Sequence, residues 1–218
     1  MSLKQYDKKR NFKATPEPTG KNKTKKERAP LIFVVQRHKA SRLHYDFRIE
    51  MEGVLKSWAV PKGPSLNPSD KRLAMMVEDH PYDYKDFEGE IPAGNYGAGI
   101  VEIWDNGTVT DIAGNDRDDS EKNLLEGLQS GNLKLKLKGR KLKGEFALVK
   151  LKKAEDNSWL LIKHRDKYSV EEDYNSEDFT ARNSPINKWI AAQQVKKKQV
   201  PNAGSVKPTK PGRKKTSA

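Results

Sequence analysis

Two of the four histidines in this 218-residue chain lie in residues 36–48, close to a carboxylate and a guanidinium. His44, Asp46 and Arg48 occupy every second position, so a strand would place their side chains on one face. The positions between and beside them are apolar: Leu43, Tyr45, Phe47 and Ile49. Neutral imidazoles and carboxylates bind divalent cations, and arginine binds anions such as phosphate. The spacing therefore predicts a metal site for phosphate chemistry.

The same alternation is also typical of any antiparallel strand with one face in water. Two observations favour a site over a solvated face. Histidine is scarce in the chain, and His38 lies only six positions before His44, at the end of the apolar run in residues 31–35. Scarce residues that cluster are more typical of a functional site.

A second segment repeats these residue types. A strand over residues 72–80 would place Arg72, Glu78 and His80 on one face, opposite Leu73, Met75 and Val77. If both strands face one groove, the groove holds more charge than an interior tolerates unless its members are paired or bound to a ligand. The fourth histidine, His164, ends an apolar run and is expected to be structural or solvent-facing.

Short apolar or alternating runs separated by turn residues predict an all-β fold. The predicted strands cover residues 31–38, 42–50, 54–60, 72–80, 99–104, 108–112, 132–138, 144–152 and 159–164. Glu52-Gly53 and Asp105-Asn106-Gly107 are among the predicted turns. Such a series indicates an antiparallel barrel or sandwich. Two short helices are expected, one over 120–129 with Ser120 as N-cap, and one over 184–194 with Pro185 at its first position.

Composition narrows the class of protein. Only 34% of residues are hydrophobic and there are no cysteines, so disulfides and thiolate metal sites are excluded. No apolar run resembles a membrane span or a signal peptide, so a soluble, cytoplasmic protein is expected. The net charge of +13 indicates a polyanionic partner.

The positive charge lies at the two ends of the chain. Residues 1–30 carry ten Lys and Arg against three acidic residues, residues 179–218 carry ten against none, and residues 31–178 therefore have a net charge of −4. We expect 1–30 to be an extended basic arm able to dock on the body, and 170–218 to be a linker, a short helix and a disordered basic tail. These arms could follow a phosphate backbone, or they could act only as solubilising tails.

Four segments in order, residues 36–48, 57–64, 78–84 and 88–97, resemble the 3'-phosphoesterase domain of bacterial DNA ligase D. The resemblance covers roughly residues 8–169. It implies a β-barrel, over 31–169 here, with a polar groove and a divalent metal, manganese being the family's usual preference. By position, the implied metal ligands are His38, His44 and Asp46.

The resemblance also implies roles for other residues. Arg48, His80 and Tyr84 would engage the scissile phosphate. A further set would lie in or behind the active site: Arg10, Glu17, Gln36, Ser57, Lys62, Arg72 and Glu78. Asn11 departs from the family, which usually has Asp after the first arginine, so an electrostatic role at that position is lost.

Family activity would remove a 3'-terminal ribonucleotide and then the remaining 3'-phosphate, which leaves a 3'-hydroxyl at a DNA end. The chain has no Lys-x-Asp-Gly ligase motif, so we expect a stand-alone enzyme that depends on a separate DNA ligase and end-joining proteins. Two alternatives remain open at this point. One is a catalytically inactive nucleic-acid-binding repair protein, and the other is a non-haem iron oxygenase, since two histidines and one carboxylate also bind iron.

Overall fold

The structure, a computed structural model, describes residues 2–19, 29–114, 116–152 and 157–199, with side chains described up to residue 194. The tail predicted to be disordered and the basic cluster at 21–28 lie largely outside these residues. Within them, no helix is long and apolar enough to cross a membrane.

Nine antiparallel strands form one sheet that closes into a barrel. They are β1 Ile32–Lys39, β2 Leu43–Met51, β3 Val54–Val60, β4 Lys71–Pro81, β5 Gly89–Ile91, β6 Gly99–Asp111, β7 Asn132–Gly139, β8 Lys143–Lys150 and β9 Ser158–Lys163. The order is β1-β2-β3-β4-β9-β8-β7-β6-β5, and pairing of β1 with β6 closes eight of the strands into the barrel. The predicted antiparallel barrel is therefore confirmed.

The β2–β3 hairpin shows how local sequence sets the register. Glu52 and Gly53 both have positive φ, 53° and 69°, as a two-residue turn of the hairpin type requires. Met51 consequently pairs with Val54, and Arg48 pairs with Ser57. Apolar side chains from strands all around the barrel, including Phe47 and Trp58, form one buried cluster that fills the interior.

The sequence prediction fails at β6. A turn was expected at Asp105-Asn106-Gly107, but Gly99–Asp111 is a single strand. Its first part pairs with β1 across a register shift, and its last part pairs with β7. The Asp105 carboxylate accepts hydrogen bonds from three successive backbone N–H groups, of Arg140, Lys141 and Leu142, so this residue anchors the β7–β8 turn.

Helix α2, Arg117–Ser130, begins earlier than the pattern predicted. Its N-cap is Asp116, whose side chain accepts a hydrogen bond from the backbone N–H of Asp119, whereas Ser120 is fully buried within the helix. The helix ends as expected at Gly131, which has the left-handed conformation (φ 78°) that favours glycine.

Both ends of the described chain pack on the barrel. The N-terminal segment was predicted to be extended, but it begins with a helix, α1 Leu3–Lys8, whose Tyr6 is fully buried. The region predicted to be a linker instead packs on the barrel, where it includes a 3₁₀ helix, Ser176–Phe179, and continues into helix α3, Pro185–Gln199. Glu177 pairs with the buried Arg37 at 2.7 Å, and the indole N–H of Trp104 donates to the carbonyl oxygen of Ser176.

Candidate metal centre

The polar face of β2 is buried, not solvated. Asp46 is 7% exposed and Arg48 is 2% exposed. This face lies outside the barrel, where the N-terminal segment, the 3₁₀ helix Tyr82–Asp86 and the loop at 92–98 form a wall around a cavity of about 210 Å³. The alternative interpretation, in which the polar face of β2 is simply exposed to solvent, is therefore wrong for this strand.

Strand register assembles the first part of the site. In β1 and β2, His38 lies opposite His44, and Gln36 lies opposite Asp46. Directly opposed residues of an antiparallel pair point to the same side of the sheet. The predicted alternation of β2 thus places its site residues beside those of β1, on the outer face.

His38, His44 and Asp46 form a three-residue donor set. Their ligand atoms all lie within 4.8 Å of one another. The Asp46 carboxylate is 3.5 Å from Nδ1 of His38 and 3.6 Å from Nε2 of His44. Two imidazoles and one carboxylate suit a divalent cation with coordination positions left open.

In both His38 and His44, the ring nitrogen that faces away from Asp46 shows why the donor set suits a cation. Nε2 of His38 is 2.9 Å from the carbonyl oxygen of Gly97, and Nδ1 of His44 is 3.1 Å from that of Arg42. A carbonyl oxygen only accepts, so these nitrogens carry hydrogen, and in a neutral ring the nitrogen facing Asp46 carries none. Such backbone acceptors orient metal-binding histidines. A cation between the bare nitrogens and the carboxylate would relieve their mutual repulsion.

Asp46 is held in its charged form. Burial alone would raise the pKa of this carboxyl group, but the Arg48 guanidinium holds it well below its usual range. The carboxylate is therefore available as a ligand over the whole physiological pH range.

Arg48 is fixed by three hydrogen bonds. It donates to Gln36 Oε1 at 2.7 Å, to Ser57 Oγ at 2.9 Å and to Asp46 Oδ2 at 3.0 Å. Gln36 in turn donates to the backbone carbonyl oxygens of Tyr84 and Phe87. Arginine has five N–H groups, so these contacts leave two for an anion in the cavity.

A β-bulge in β4 decides which of its residues reach the cavity. Leu55 pairs with His80 but Ser57 pairs with Val77, so β4 has one residue more than β3 between these pairs. His80 and Glu78 line the cavity, as predicted. On the other side of the bulge the alternation is reversed. Arg72 lies on the same face of β4 as the core residue Ala74, and its guanidinium contacts Asp70 and the carbonyl oxygen of Tyr174.

Lys62 and Arg72 therefore lie outside the main cavity. Both line a separate pocket together with Tyr174 and Glu177, and Lys62 is exposed. The structure does not bring these two predicted site residues next to the three-residue donor set.

His80 is a hydrogen-bond acceptor toward the cavity. Its Nδ1 is 2.9 Å from the carbonyl oxygen of Glu78 and therefore carries the hydrogen, while its Nε2 is 3.3 Å from Nη2 of Arg10, which can only donate. Burial, together with the charges of Arg48 and Arg10, holds the pKa of His80 well below its usual range. The neutral ring thus has no free N–H to donate to a phosphate.

The N-terminal segment completes the site through Arg10. This guanidinium is bound to Glu17 at 2.8 Å and to Glu78 at 3.1 Å, and all three side chains are less than 5% exposed. Glu17 also accepts a hydrogen bond from the Tyr84 hydroxyl at 3.0 Å. Burial raises the pKa of Tyr84 well above its usual range, so the phenol stays protonated. Tyr84 thus supports Glu17 in this structure.

Asn11 lies at an exposed turn beside the site. Its side-chain oxygen accepts a hydrogen bond from the backbone N–H of Lys13 at 3.2 Å. An aspartate oxygen could make the same bond, so the amide preserves the local turn and removes only a charge.

Sequence reasoning missed several residues at this site. Tyr6 lies one helical turn before Arg10 and packs against both the Arg10 guanidinium, 3.7 Å from the ring centroid, and the His80 ring at 5.0 Å. Its spacing of four from Arg10 was a usable signal. Lys9 and Tyr96 at the cavity mouth, and the Gly97 carbonyl, had no periodic signal because they lie in loops.

Comparison with known proteins identifies the family. The family model described as the DNA Ligase D 3'-phosphoesterase domain matches residues 36–150. This chain belongs to that family. The chain is 50% identical over 165 residues to the multifunctional non-homologous end joining protein LigD of Pseudomonas aeruginosa, which covers 75% of this chain and 19% of that protein.

Two further relatives of the same description match. Identity is 43% over 155 residues for the Mycobacterium tuberculosis protein, covering 68% of this chain and 18% of that protein. Identity is 36% over 200 residues for the Mycolicibacterium smegmatis protein, and the match covers 88% of this chain and 24% of that protein. This chain therefore spans about a fifth of the length of these relatives.

Proposed function

We propose that this protein is a divalent-metal-dependent phosphoesterase that removes 3'-terminal ribonucleotides and 3'-phosphates from DNA ends, leaving a 3'-hydroxyl for repair by end joining. One observation carries the proposal. A His-His-Asp donor set, in which His38 and Asp46 are buried, adjoins the buried guanidinium groups of Arg48 and Arg10 in one cavity of a chain from a phosphoesterase family. The proposed cation site would thus lie beside a proposed anion site, as cleavage of a phosphate ester requires.

His38, His44 and Asp46 would hold the cation, which we propose to be manganese. When bound, such an ion polarises a phosphate oxygen and makes a nearby water or sugar hydroxyl a better nucleophile. Arg48 would donate its two remaining N–H groups to the phosphate and offset the negative charge that develops during cleavage. Gln36 and Ser57 hold the guanidinium in place, so its orientation does not change during the reaction.

His80 would keep Arg10 directed at the phosphate, because its Nε2 accepts from Nη2 of Arg10. Its low pKa keeps that nitrogen free of hydrogen at neutral pH, so the ring stays an acceptor. Glu17 and Glu78 hold Arg10 from the opposite side. The Tyr84 hydroxyl donates to Glu17, so Tyr84 would help to position Arg10 indirectly.

The relatives are described as non-homologous end joining proteins, and we extend that role to this chain. DNA 3' ends would be its substrates, and a DNA ligase and other end-joining proteins would act on its product. The basic residues at the two ends of the chain would add attraction for DNA.

A primer assay tests the proposal. Wild-type protein with manganese should convert a primer ending in one ribonucleotide, or in a 3'-phosphate, to one that a polymerase can extend. Chelator, His44→Ala and Asp46→Ala should each reduce conversion to background, because a three-donor site cannot lose a ligand and keep its metal. His164→Ala is the matched control, because His164 is a surface residue with a side chain 39% exposed.

Turnover that survives both the chelator and the ligand substitutions would refute the metal assignment. DNA binding without turnover would instead indicate an inactive repair protein. Oxygen consumption with iron, without cleavage of either primer, would favour the oxygenase alternative.

A further inference from the structure

The mouth of the cavity carries an exposed aromatic ring that the proposed reaction does not use. Tyr96 lines the cavity, yet its side chain is 48% exposed. Three other large apolar residues in the described part of the chain are as exposed, namely Leu73, Tyr168 and Phe179, and none of them lines this cavity. An exposed tyrosine ring at this position is available to pack against a ligand at the cavity mouth.

The backbone holds Tyr96 in a fixed place beside the donor set. The carbonyl oxygen of the next residue, Gly97, accepts the hydrogen bond from His38, so the loop and a proposed metal ligand are directly joined. Gly97 has a φ of 76°, a conformation that favours glycine. The turn is closed by hydrogen bonds from Asn95 to Pro92 and from Ala98 to Asn95. A ring carried by such a loop loses little conformational freedom when a ligand binds.

Two cationic side chains, of Lys9 and Arg10, lie near the Tyr96 ring. Nζ of Lys9 lies 4.4 Å from the ring centroid and 3.2 Å from the Tyr96 hydroxyl, and it is 2.9 Å from a Glu78 oxygen. The Arg10 guanidinium lies 5.6 Å from the same centroid. The Lys9 side chain is 40% exposed, so it can reach a phosphate at the mouth without leaving this cluster. We call Lys9 and Tyr96 the mouth pair.

An aromatic ring beside a cation suits a nucleoside. A phosphate held by Arg48 would leave its attached sugar and base at the cavity mouth, because the interior is small and four of its lining residues, Arg10, Asp46, Arg48 and Glu78, are charged. The face of a base is apolar, and every base has one, so stacking on an aromatic side chain does not depend on sequence. Lysine adds attraction for the flanking phosphate.

We propose that the mouth pair is a nucleoside subsite, in which the Tyr96 ring stacks on a base next to the scissile phosphate and Lys9 contacts the adjoining phosphate. The subsite rests on the proposed function. It would let the enzyme accept any terminal base while requiring that a base be present. Specificity for the 3' end would then come from contacts with the sugar and the phosphate. Stacking would add affinity for the strand.

Binding of two matched oligonucleotides tests the subsite. One ends in two normal nucleotides and a 3'-phosphate, and the other carries abasic residues in place of those two nucleotides. Affinity is measured by fluorescence anisotropy with chelator present, so that no turnover occurs. Tyr96→Leu should weaken binding of the first oligonucleotide by about 5- to 150-fold, the range for loss of one stacked base. It should leave binding of the abasic oligonucleotide unchanged.

Two further variants separate the ring from other effects. Tyr96→Phe keeps the ring and loses only the contact between its hydroxyl and Lys9, so its affinity for the first oligonucleotide should stay close to wild type. Tyr168→Leu removes a tyrosine of similar exposure, 40%, away from the cavity and should change neither affinity. Thermal unfolding of each variant shows that the fold is intact.

Equal weakening of both oligonucleotides by Tyr96→Leu would overturn the stacking proposal and reduce Tyr96 to a support for the loop. No weakening of either would overturn it as well. Failure of the proposed function looks different, because the wild-type protein would then convert no 3' end in the primer assay. The base-dependent difference in affinity would still decide whether Tyr96 contacts a base.

Discussion

At the scale of single residues, hydrogen-bond partners determine which groups can donate and which can accept. His38, His44 and His80 each direct one ring nitrogen at a backbone carbonyl oxygen. The remaining nitrogens of His38 and His44 face the Asp46 carboxylate, whereas that of His80 faces an arginine. Two imidazoles are thus arranged for a cation, and the third is arranged to hold a guanidinium.

This difference predicts separate effects on metal binding and turnover. His80→Ala should reduce turnover by about 10²- to 10³-fold, since it removes the acceptor that orients Arg10. Manganese affinity, measured by calorimetry, should stay within a few-fold of wild type, because His80 is not among the three ligands. Loss of stoichiometric manganese binding in His80→Ala would show that the imidazole is itself a ligand.

At the scale of elements, an ion pair between Glu177 and Arg37 of β1 holds the segment after β9 on the barrel. Glu177 accepts hydrogen bonds from the buried Arg37 and from the hydroxyl of Tyr45. Burial would raise the pKa of Glu177, but these hydrogen bonds lower it overall. A lowered pKa means that the folded state favours the carboxylate. Its stabilisation is therefore complete above the unfolded-state pKa, about 4.3, and is lost as pH falls through the folded-state pKa.

Glu177→Gln should consequently lower the Tm by a few degrees at pH 7. Hydrogen bonds to charged groups contribute about 1.5–3 kcal/mol, the lower end being appropriate for a carboxylate that is partly exposed, and each kcal/mol shifts the Tm of a chain this size by about 2–4 °C. The difference from wild type should shrink below about pH 4. Glu172→Gln, at an exposed glutamate, is the matched control. A Tm difference that is the same at pH 7 and pH 3.5 would contradict the assigned charge.

At the scale of the whole molecule, charge and chemistry occupy different parts of the chain. The cavity lies on the outer face of β1–β4, while residues 179–218 contribute ten positive charges and no negative ones. The body, residues 31–178, has a net charge of −4 and little long-range attraction for DNA. The basic ends would therefore increase the affinity for DNA without taking part in cleavage.

Deleting residues 196–218 should weaken binding to primer–template DNA and flatten its salt dependence. Each lost phosphate contact reduces the slope of log K against log salt by about 0.9 on duplex DNA. Single-turnover rates at saturating DNA should stay near wild type, because the residues proposed for cleavage lie between Arg10 and Tyr84. Identical salt slopes would identify a solubilising tail, and a collapse of the saturated rate would show that the tail helps to build the site.

The sequence by itself predicted, from local periodicity, an antiparallel barrel or sandwich and the alignment of His44 with Asp46, whereas the choice of a barrel and the addition of His38 to the donor set came from the family resemblance. Alternation in β2 and the Glu52-Gly53 turn set the register that places His44 and Asp46 on one face. Family resemblance then added Arg10, Glu17 and Gln36, which periodicity alone could not connect with residues far along the chain.

Only the tertiary structure decided how these residues are used, because the decisive contacts join distant segments. The bulge between β3 and β4 separates Arg72 from His80 although the pattern of β4 is regular. Tyr6 and Lys9 contact the cavity-lining residues His80 and Glu78 of β4, about 70 residues away. A histidine tautomer depends on which carbonyl oxygen lies beside it, and Gly97 meets His38 only when the barrel closes. Such contacts have no period in the sequence, and so no pattern predicts them.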